Sequence, residues 1–363
     1  MGAWNHPSVD ADGFLYTQMM LADAGMGAST AHRMASKHYL SLHRVRSDPR
    51  LAELFGARPP RYFTAELKLF RARILVPLLG AKLYPILGFR AMPMLSAFCI
   101  LIAAILLYEL FLLVSPPWIA AFGSMLVLMW PTVGAVATAS GTDAPALAEW
   151  LLCLYATVRY ARKSNPSWLA LSLLSAALLG ITRPAVWLPV AAACGLMLYA
   201  RSKDSRLQHG ARLMLVGQLI AAVGAVAFTY LVHGAGFIEQ VDWQYQYHVA
   251  GHGHWVQYGP IIWYLAYVAR AFTWYPLQLV ATVVAPLALT AGALGLWRIR
   301  ATAIAYVCAS AAFIVPLAMV LNPQDPSRSV ELPLAPIVML GVCALVSSVL
   351  GAGPFARRGV NHT

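Results

Sequence analysis

Charged side chains are what this chain has least of. Asp, Glu, Lys and Arg make up 11% of 363 residues, apolar types make up 60%, and the mean hydropathy is +0.65. A soluble domain carries about a quarter charged residues, so a soluble globular fold is excluded and a polytopic membrane protein is indicated. Acidic residues are scarcer still, 14 against 26 basic ones, for a net charge of +12. A nucleic-acid partner would need those bases massed on one soluble face. About half of them instead punctuate apolar segments in short clusters, so no nucleic-acid partner is expected. The five cysteines, Cys99, Cys153, Cys194, Cys308 and Cys343, each sit in an apolar run without paired spacing, which excludes a disulfide framework and a cysteine zinc site. No signal peptide is visible in these 363 residues, nor is any internal repeat of the kind that many transporters show.

What is present is a polar first quarter followed by closely spaced apolar runs. Residues 1–90 form the only long polar stretch, and Ser29–Arg46 places Ala31, Met34, Ala35, Tyr39 and Leu42 near helical spacing with bases between them. That pattern suits a helix in the headgroup plane of an anionic membrane, or equally a solvated surface helix. Phe63–Leu79 is apolar but short and interrupted by Arg71 and Arg73, as expected of an interfacial or re-entrant segment. Apolar runs follow at 91–114, 118–140, 144–160, 166–182, 184–200, 213–233, 274–297, 301–321 and 332–350, each near the length of about 20 residues that a bilayer demands. The expectation is an all-α transmembrane bundle of nine spans. Its parts are a first extracytoplasmic loop of interfacial helices (1–90), the bundle itself (91–350) and a cytoplasmic tail (351–363).

Orientation follows from the basic clusters. Arg159, Arg162 and Lys163, then Arg201, Lys203, Arg206 and Arg212, then Arg298 and Arg300, then Arg357 and Arg358 all fall on one side. Short basic loops stay in the cytoplasm. The other side then holds residues 1–90, the turns at 141–143 and 182–184, and the loops 233–272 and 322–331. An outward N-terminus with no apolar segment before it predicts a further membrane helix upstream, which would make ten spans.

The outward features are the chemically suggestive ones. Asp10 and Asp12 precede an apolar stripe of Phe14, Leu15, Tyr16, Met19, Met20 and Leu21, so a helix beginning near residue 13 places both carboxylates at its mouth. One of them could be a helix N-cap; both could not. Asp143 in SGTDAPALAEW has the same ambiguity. Glu149 and Glu109 would be carboxylates at membrane depth, costly enough there to be site candidates by default. Arg183 in GITRPAVW either meets an anion or forms a salt bridge to Asp143 or Glu149, and Arg328 in the last outward loop has a similar setting. The 233–272 loop is crowded with aromatics and imidazoles, among them Trp243, Tyr247, His248, His252 and His254. An interfacial aromatic belt accounts for many of the rings, while rings beside hydrogen-bonding groups also make sugar platforms. His252 and His254 would need further ligands from elsewhere to hold a metal; no metal or other cofactor is indicated.

A lipid-borne phosphate bonded to a sugar would use such groups together. A carboxylate would take the acceptor proton, and guanidinium groups would neutralise the departing phosphate. VDADGFLY, RARILVPLLG, SGTDAPALAEW, GITRPAVW and PSRSVELPLAP, in this order and spacing, resemble the integral-membrane glycosyltransferases of the GT-C superfamily, of mannosyl- or arabinosyltransferase type. The resemblance implies a multi-pass cell-membrane enzyme, in the inner or plasma membrane of a bacterium, that takes its sugar from a polyprenyl-phosphate donor at the extracytoplasmic face. It implies a glycan, lipid or protein acceptor, a catalytic aspartate at Asp12 or Asp10, a second acid at Asp143, and donor-phosphate contacts at Arg183 and Arg328. The rival class is a transporter or flippase for a lipid-linked or small anionic substrate. It would distribute its acids along a path through the bilayer, whereas here they cluster at one interface.

Overall fold

The computed structural model describes residues 11–47, 52, 55–56, 67–137, 139–183, 185–236, 239–240, 284–321 and 332–352. Among them the regular structure is helical and no strand occurs. The helices are α1 (Ala11–Asp23), α2 (Ala28–Ser41), α3 (His43–Arg46), α4 (Leu75–Leu87), α5 (Ala91–Phe111), α6 (Pro117–Leu128), α7 (Pro131–Val136), α8 (Asp143–Lys163), α9 (Pro166–Thr182), α10 (Trp187–Ala200), α11 (Ser205–Leu231), α12 (Val284–Arg298), α13 (Ala303–Leu321) and α14 (Leu332–Val349). Among the described residues three stretches are long and apolar enough to cross a membrane, Leu75–Phe111, Ser205–Leu231 and Leu332–Val349; Pro117–Leu128, Pro166–Thr182, Trp187–Ala200 and Ala303–Val315 are shorter apolar helices.

The bundle is built around α8, which packs on α5, α9, α10 and α13 and buries Trp150, Leu151, Cys153, Leu154 and Val158. Facing outward are side chains of the same apolar kind: Phe98, Leu101 and Ile105 on α5 lie at i, i+3 and i+7 and are 57–59% exposed. Water would not tolerate that stripe repeated around the bundle, but acyl chains would. With no hydrophobic drive between helices in lipid, close backbone approach becomes the means of packing. The α12–α14 pair shows this. A Cβ on Gly292 would lie 2.8 Å from the Val338 carbonyl oxygen, and one on Gly341 would meet the Gly292 carbonyl. Gly341→Ala is therefore expected to force the pair apart at a cost of about 1–3 kcal/mol, read as a lower unfolding temperature in detergent.

Two differences from the sequence expectations have local causes. The run 118–140 is not one helix but two, because Pro131 cannot donate to the helix and drives the residue before it out of the α region; Trp130 sits at ψ 132°. The apolar stretch 75–111 does not run straight either. Gly88 adopts φ +57° and a 3-10 turn follows over Gly88–Arg90. The chain folds back there, so that a Cβ on Gly80 would lie 2.6 Å from the Met92 sulfur.

A second core lies beside the bundle. Phe14, Leu15, Tyr16, Met20 and Leu21 of α1 are at most 1% exposed and pack with Ala31, Ala35 and Tyr39 of α2, Phe55, Phe70, and Val76 and Ala81 of α4. Phe14 lies edge-on to Tyr39 at 5.3 Å and stacks on Phe55 at 5.1 Å. His38, half-buried, lies flat on Phe89 with ring centroids 4.0 Å apart. Burial holds the His38 imidazole below its usual range. The unfolded chain therefore binds a proton that the folded one refuses, and stability falls as pH drops below about 6.5 toward the folded value. His38→Phe keeps the stack, and in a thermal-unfolding series from pH 7.5 to 5.5 it should remove this contribution to the slope.

Hydrogen bonds sort the turns into two ends. At one end Ser96 Oγ donates to the Ala139 carbonyl (2.7 Å), Tyr16 meets Thr142, and the Ala235 amide donates to the Lys68 carbonyl (3.0 Å). At the other, Arg162 Nη2 donates to the Leu113 carbonyl (3.0 Å), Arg159 stands over the Trp168 ring (5.5 Å), and Lys203 stands over Tyr199 (5.0 Å). The second core and the turns at 139–143 and 183 thus share an end.

Candidate active site

Asp12 lies within the first turn of α1, where an anionic side chain is favoured by the exposed amides of the helix end. Four residues on, and so on the same helix face, Tyr16 is 1% exposed. Its hydroxyl accepts from Arg73 Nη1 at 3.0 Å and shares a hydrogen bond with the Thr142 hydroxyl at 2.9 Å. Arg73 also stands over the Phe70 ring at 4.6 Å. Burial pushes the Tyr16 phenol above its usual range; the Arg73 cation opposes the rise and the Asp12 carboxylate adds to it. Asp12 is thereby placed within electrostatic reach of Tyr16, and Tyr16 carries α1 to the turn that contains Asp143.

Thr142 flanks α8 without making a side-chain cap, and Asp143 is the first helical residue. Its carboxylate pairs with the Arg183 guanidinium, and the two side chains are 8% and 14% exposed. Of the two sequence readings of Arg183, the salt bridge to Asp143 is the one this structure contains. One residue before Arg183, Thr182 Oγ1 donates to Glu149 Oε1 at 2.8 Å, while Glu149 Oε2 is buried with no hydrogen-bond partner among the described residues. Two consecutive residues at the end of α9 therefore bind two acids in the first two turns of α8. Glu109 takes no part. It lies toward the opposite end, where its Oε2 accepts from Tyr155 at 3.1 Å.

The structure thus brings Asp12, Asp143 and Arg183 to one end of the bundle and adds Tyr16, Arg73, Thr142 and Glu149. Asp10, Arg328, Trp243, Tyr247, His248, His252 and His254 lie outside the described residues. Among the described residues no group of three or more His, Cys, Asp or Glu side chains could hold a metal ion. Tyr16 was hidden in the sequence because it occupies an apolar position of α1. Arg73 was visible as a charge inside an apolar stretch, the feature that could have marked it.

Tyr16→Phe preserves the packing but leaves the Thr142 hydroxyl and an Arg73 N–H without the phenol, at a cost of about 1–3 kcal/mol for buried polar groups. A lower unfolding temperature is expected, together with slower turnover at unchanged donor KM. Turnover equal to wild type would mean that α1 is positioned without this tie.

The described residues thus form a helical membrane bundle with carboxylates and guanidinium groups gathered at one end. Residues 78–231 match the family model of dolichyl-phosphate-mannose-protein mannosyltransferases. The match supports a GT-C superfamily glycosyltransferase, a membrane enzyme that uses a polyprenyl-phosphate-linked sugar. The matched stretch contains Asp143 and Arg183 and ends before the aromatic loop. No curated protein and no solved structure matches the chain.

Proposed function

We propose that the chain transfers a sugar with inversion from a polyprenyl-phosphate donor to an acceptor hydroxyl at the extracytoplasmic face of the cell membrane. Asp12 takes the acceptor proton as the acceptor oxygen attacks the anomeric carbon. The bond from that carbon to the phosphate oxygen breaks, and the electron pair leaves with the polyprenyl phosphate, whose charge Arg183 receives in exchange for its contact with Asp143. Asp143 or Asp10 orients the acceptor. Arg328 joins Arg183 on the phosphate, and Trp243, Tyr247, His248, His252 and His254 receive the sugar. The acceptor is a glycan, lipid or protein.

The observation that carries this reading is that the Asp12 helix and the Asp143–Arg183 pair, far apart in sequence, meet at one end through Tyr16 and Thr142. A second feature agrees with it. An apolar groove of 740 Å³ begins at Val186 and Trp187, just beyond Arg183, and continues past Val190, Cys194, Ala222 and Phe313 between α10, α11 and α13. A polyprenyl chain would fit there with its phosphate toward Arg183.

The test is transfer of radiolabelled sugar from a panel of polyprenyl-phosphate sugars in membranes containing the protein. Consumption of one donor, with a product of opposite anomeric configuration, is the expected result. Retained configuration would overturn inversion. If no donor is consumed by correctly inserted protein, the transferase reading fails and flux of lipid-linked substrates becomes the next assay.

A further inference from the structure

Arg183 can give up Asp143 for a phosphate in a reproducible geometry only if the turn that carries it keeps its place. Arg183 is the first residue past α9, with extended backbone at φ −153° and ψ 136°. Pro184 follows and has no amide hydrogen to offer the helix, so the chain leaves α9 here. Main-chain bonds tie the turn only to itself: the Arg183 amide donates to the Leu179 carbonyl at 2.8 Å and the Ala185 amide to the Arg183 carbonyl at 2.7 Å. Both would travel with the turn if it moved. The tie to the rest of the bundle comes from Thr182. Its side chain is fully buried, and its hydroxyl donates to Glu149 Oε1 at 2.8 Å. Glu149 lies six residues beyond Asp143 on α8, about 9 Å further along the helix axis. The end of α9 thus holds the central helix at two heights, the deeper contact close to its backbone and the outer one at the tip of a long side chain. An acid is a costly choice for the deeper contact, because a carboxyl group at membrane depth gives up its hydration. The second oxygen of Glu149 is buried with no hydrogen-bond partner among the described residues. An apolar side chain would fill the space without that cost; what Glu149 adds is a strong acceptor for Thr182.

We propose that Glu149, acting through Thr182, is the positioning residue for Arg183. At rest Asp143 holds the guanidinium. When the guanidinium exchanges Asp143 for the donor phosphate, the Thr182–Glu149 bond stays made and keeps the backbone of the turn where it was. The guanidinium then moves on its own side-chain torsions and meets the phosphate at the same place in every cycle. The same turn leads into Val186 and Trp187, where the apolar groove begins, so a turn that drifted would displace the phosphate contact and the groove mouth together. Glu149 and Thr182 act through Arg183 and take no part in bond making. The inference rests on Arg183 as the phosphate contact of the proposed transfer.

The test separates donor binding from the rest of the cycle, using the donor that the wild-type protein consumes. Glu149→Leu and Thr182→Val each remove the bond. Each is expected to raise donor KM about tenfold, the size of one interior hydrogen bond, with acceptor KM unchanged and turnover at saturating donor within about twofold of wild type. The double variant should match either single one, because both remove the same bond. Glu149→Gln and Thr182→Ser keep an acceptor and a donor at these positions and should bring donor KM back near the wild-type value. Thr182→Val keeps the shape of threonine and carries the test if Glu149→Leu fails to insert. Unchanged donor KM in the apolar variants, while wild type transfers sugar, would overturn the positioning role alone. So would a rise in acceptor KM matching the rise in donor KM, the mark of a general loss of structure, or a Glu149→Gln variant as impaired as Glu149→Leu. Absence of transfer by the wild-type protein would overturn the transferase reading and this inference with it.

Discussion

Asp12→Asn is expected to lower turnover by about 10²–10⁴-fold, the usual share of a general base, while leaving membrane insertion and unfolding temperature close to wild type. The substitution keeps the shape of the side chain and an oxygen acceptor within the first turn of α1, so the local structure has little reason to change. It removes the basicity that would take the acceptor proton. The groups proposed for the donor phosphate belong to other elements, with Arg183 following α9, so donor KM should not move. Loss of turnover at constant KM is the signature of an interaction made only in the transition state. Turnover within a few-fold of wild type would place the base elsewhere, with Asp143 the next candidate.

Arg183→Met should have the largest effect on stability. Asp143 is 7% exposed, and stripping the guanidinium from a buried ion pair costs about 3–5 kcal/mol because the remaining charge loses its partner. Adding Asp143→Asn should recover much of that loss, since the double variant no longer buries a lone carboxylate. Transfer should stay strongly reduced in both, because neither offers the Arg183 guanidinium to the departing phosphate and Arg328 alone is left to meet it. Arg183→Lys separates charge from shape. It keeps the positive charge but not the planar fork, so stability should fall less than in Arg183→Met while donor KM rises. If the double variant regained transfer along with stability, Arg183 would be a structural cross-link and nothing more.

The helical architecture was legible because chemistry leaves long traces in a membrane protein. Apolar runs of bilayer length and the basic clusters between them indicated which turns share an end, and from that alone Asp12, Asp143 and Arg183 fell on one side. Finer geometry was less legible. Pro131 divides the 118–140 run, a signal that was present but outweighed by continuous hydropathy. The fold-back at Gly88 depends on one positive φ inside an apolar stretch, and nothing in the neighbouring side chains marks it. Tyr16 looks like one more core ring until Arg73 and Thr142 are seen beside its hydroxyl. Whether an aspartate caps a helix or pairs with a distant arginine is likewise a three-dimensional fact: Asp143 has the sequence setting of a cap and the contacts of an ion-pair partner.

The bond between Tyr16 and Thr142 spans 126 residues, and this bears on the order in which the protein is made. α1 leaves the ribosome well before α8, since its anchor at Thr142 is synthesised only after α5 to α7, and Arg183 later still. At translation rates of about 5–20 residues per second, α1 waits for several seconds with Phe14, Leu15 and Tyr16 lacking part of their final surroundings. Chains truncated before residue 142 should therefore expose α1 to protease, and chains extended past Arg183 should protect it.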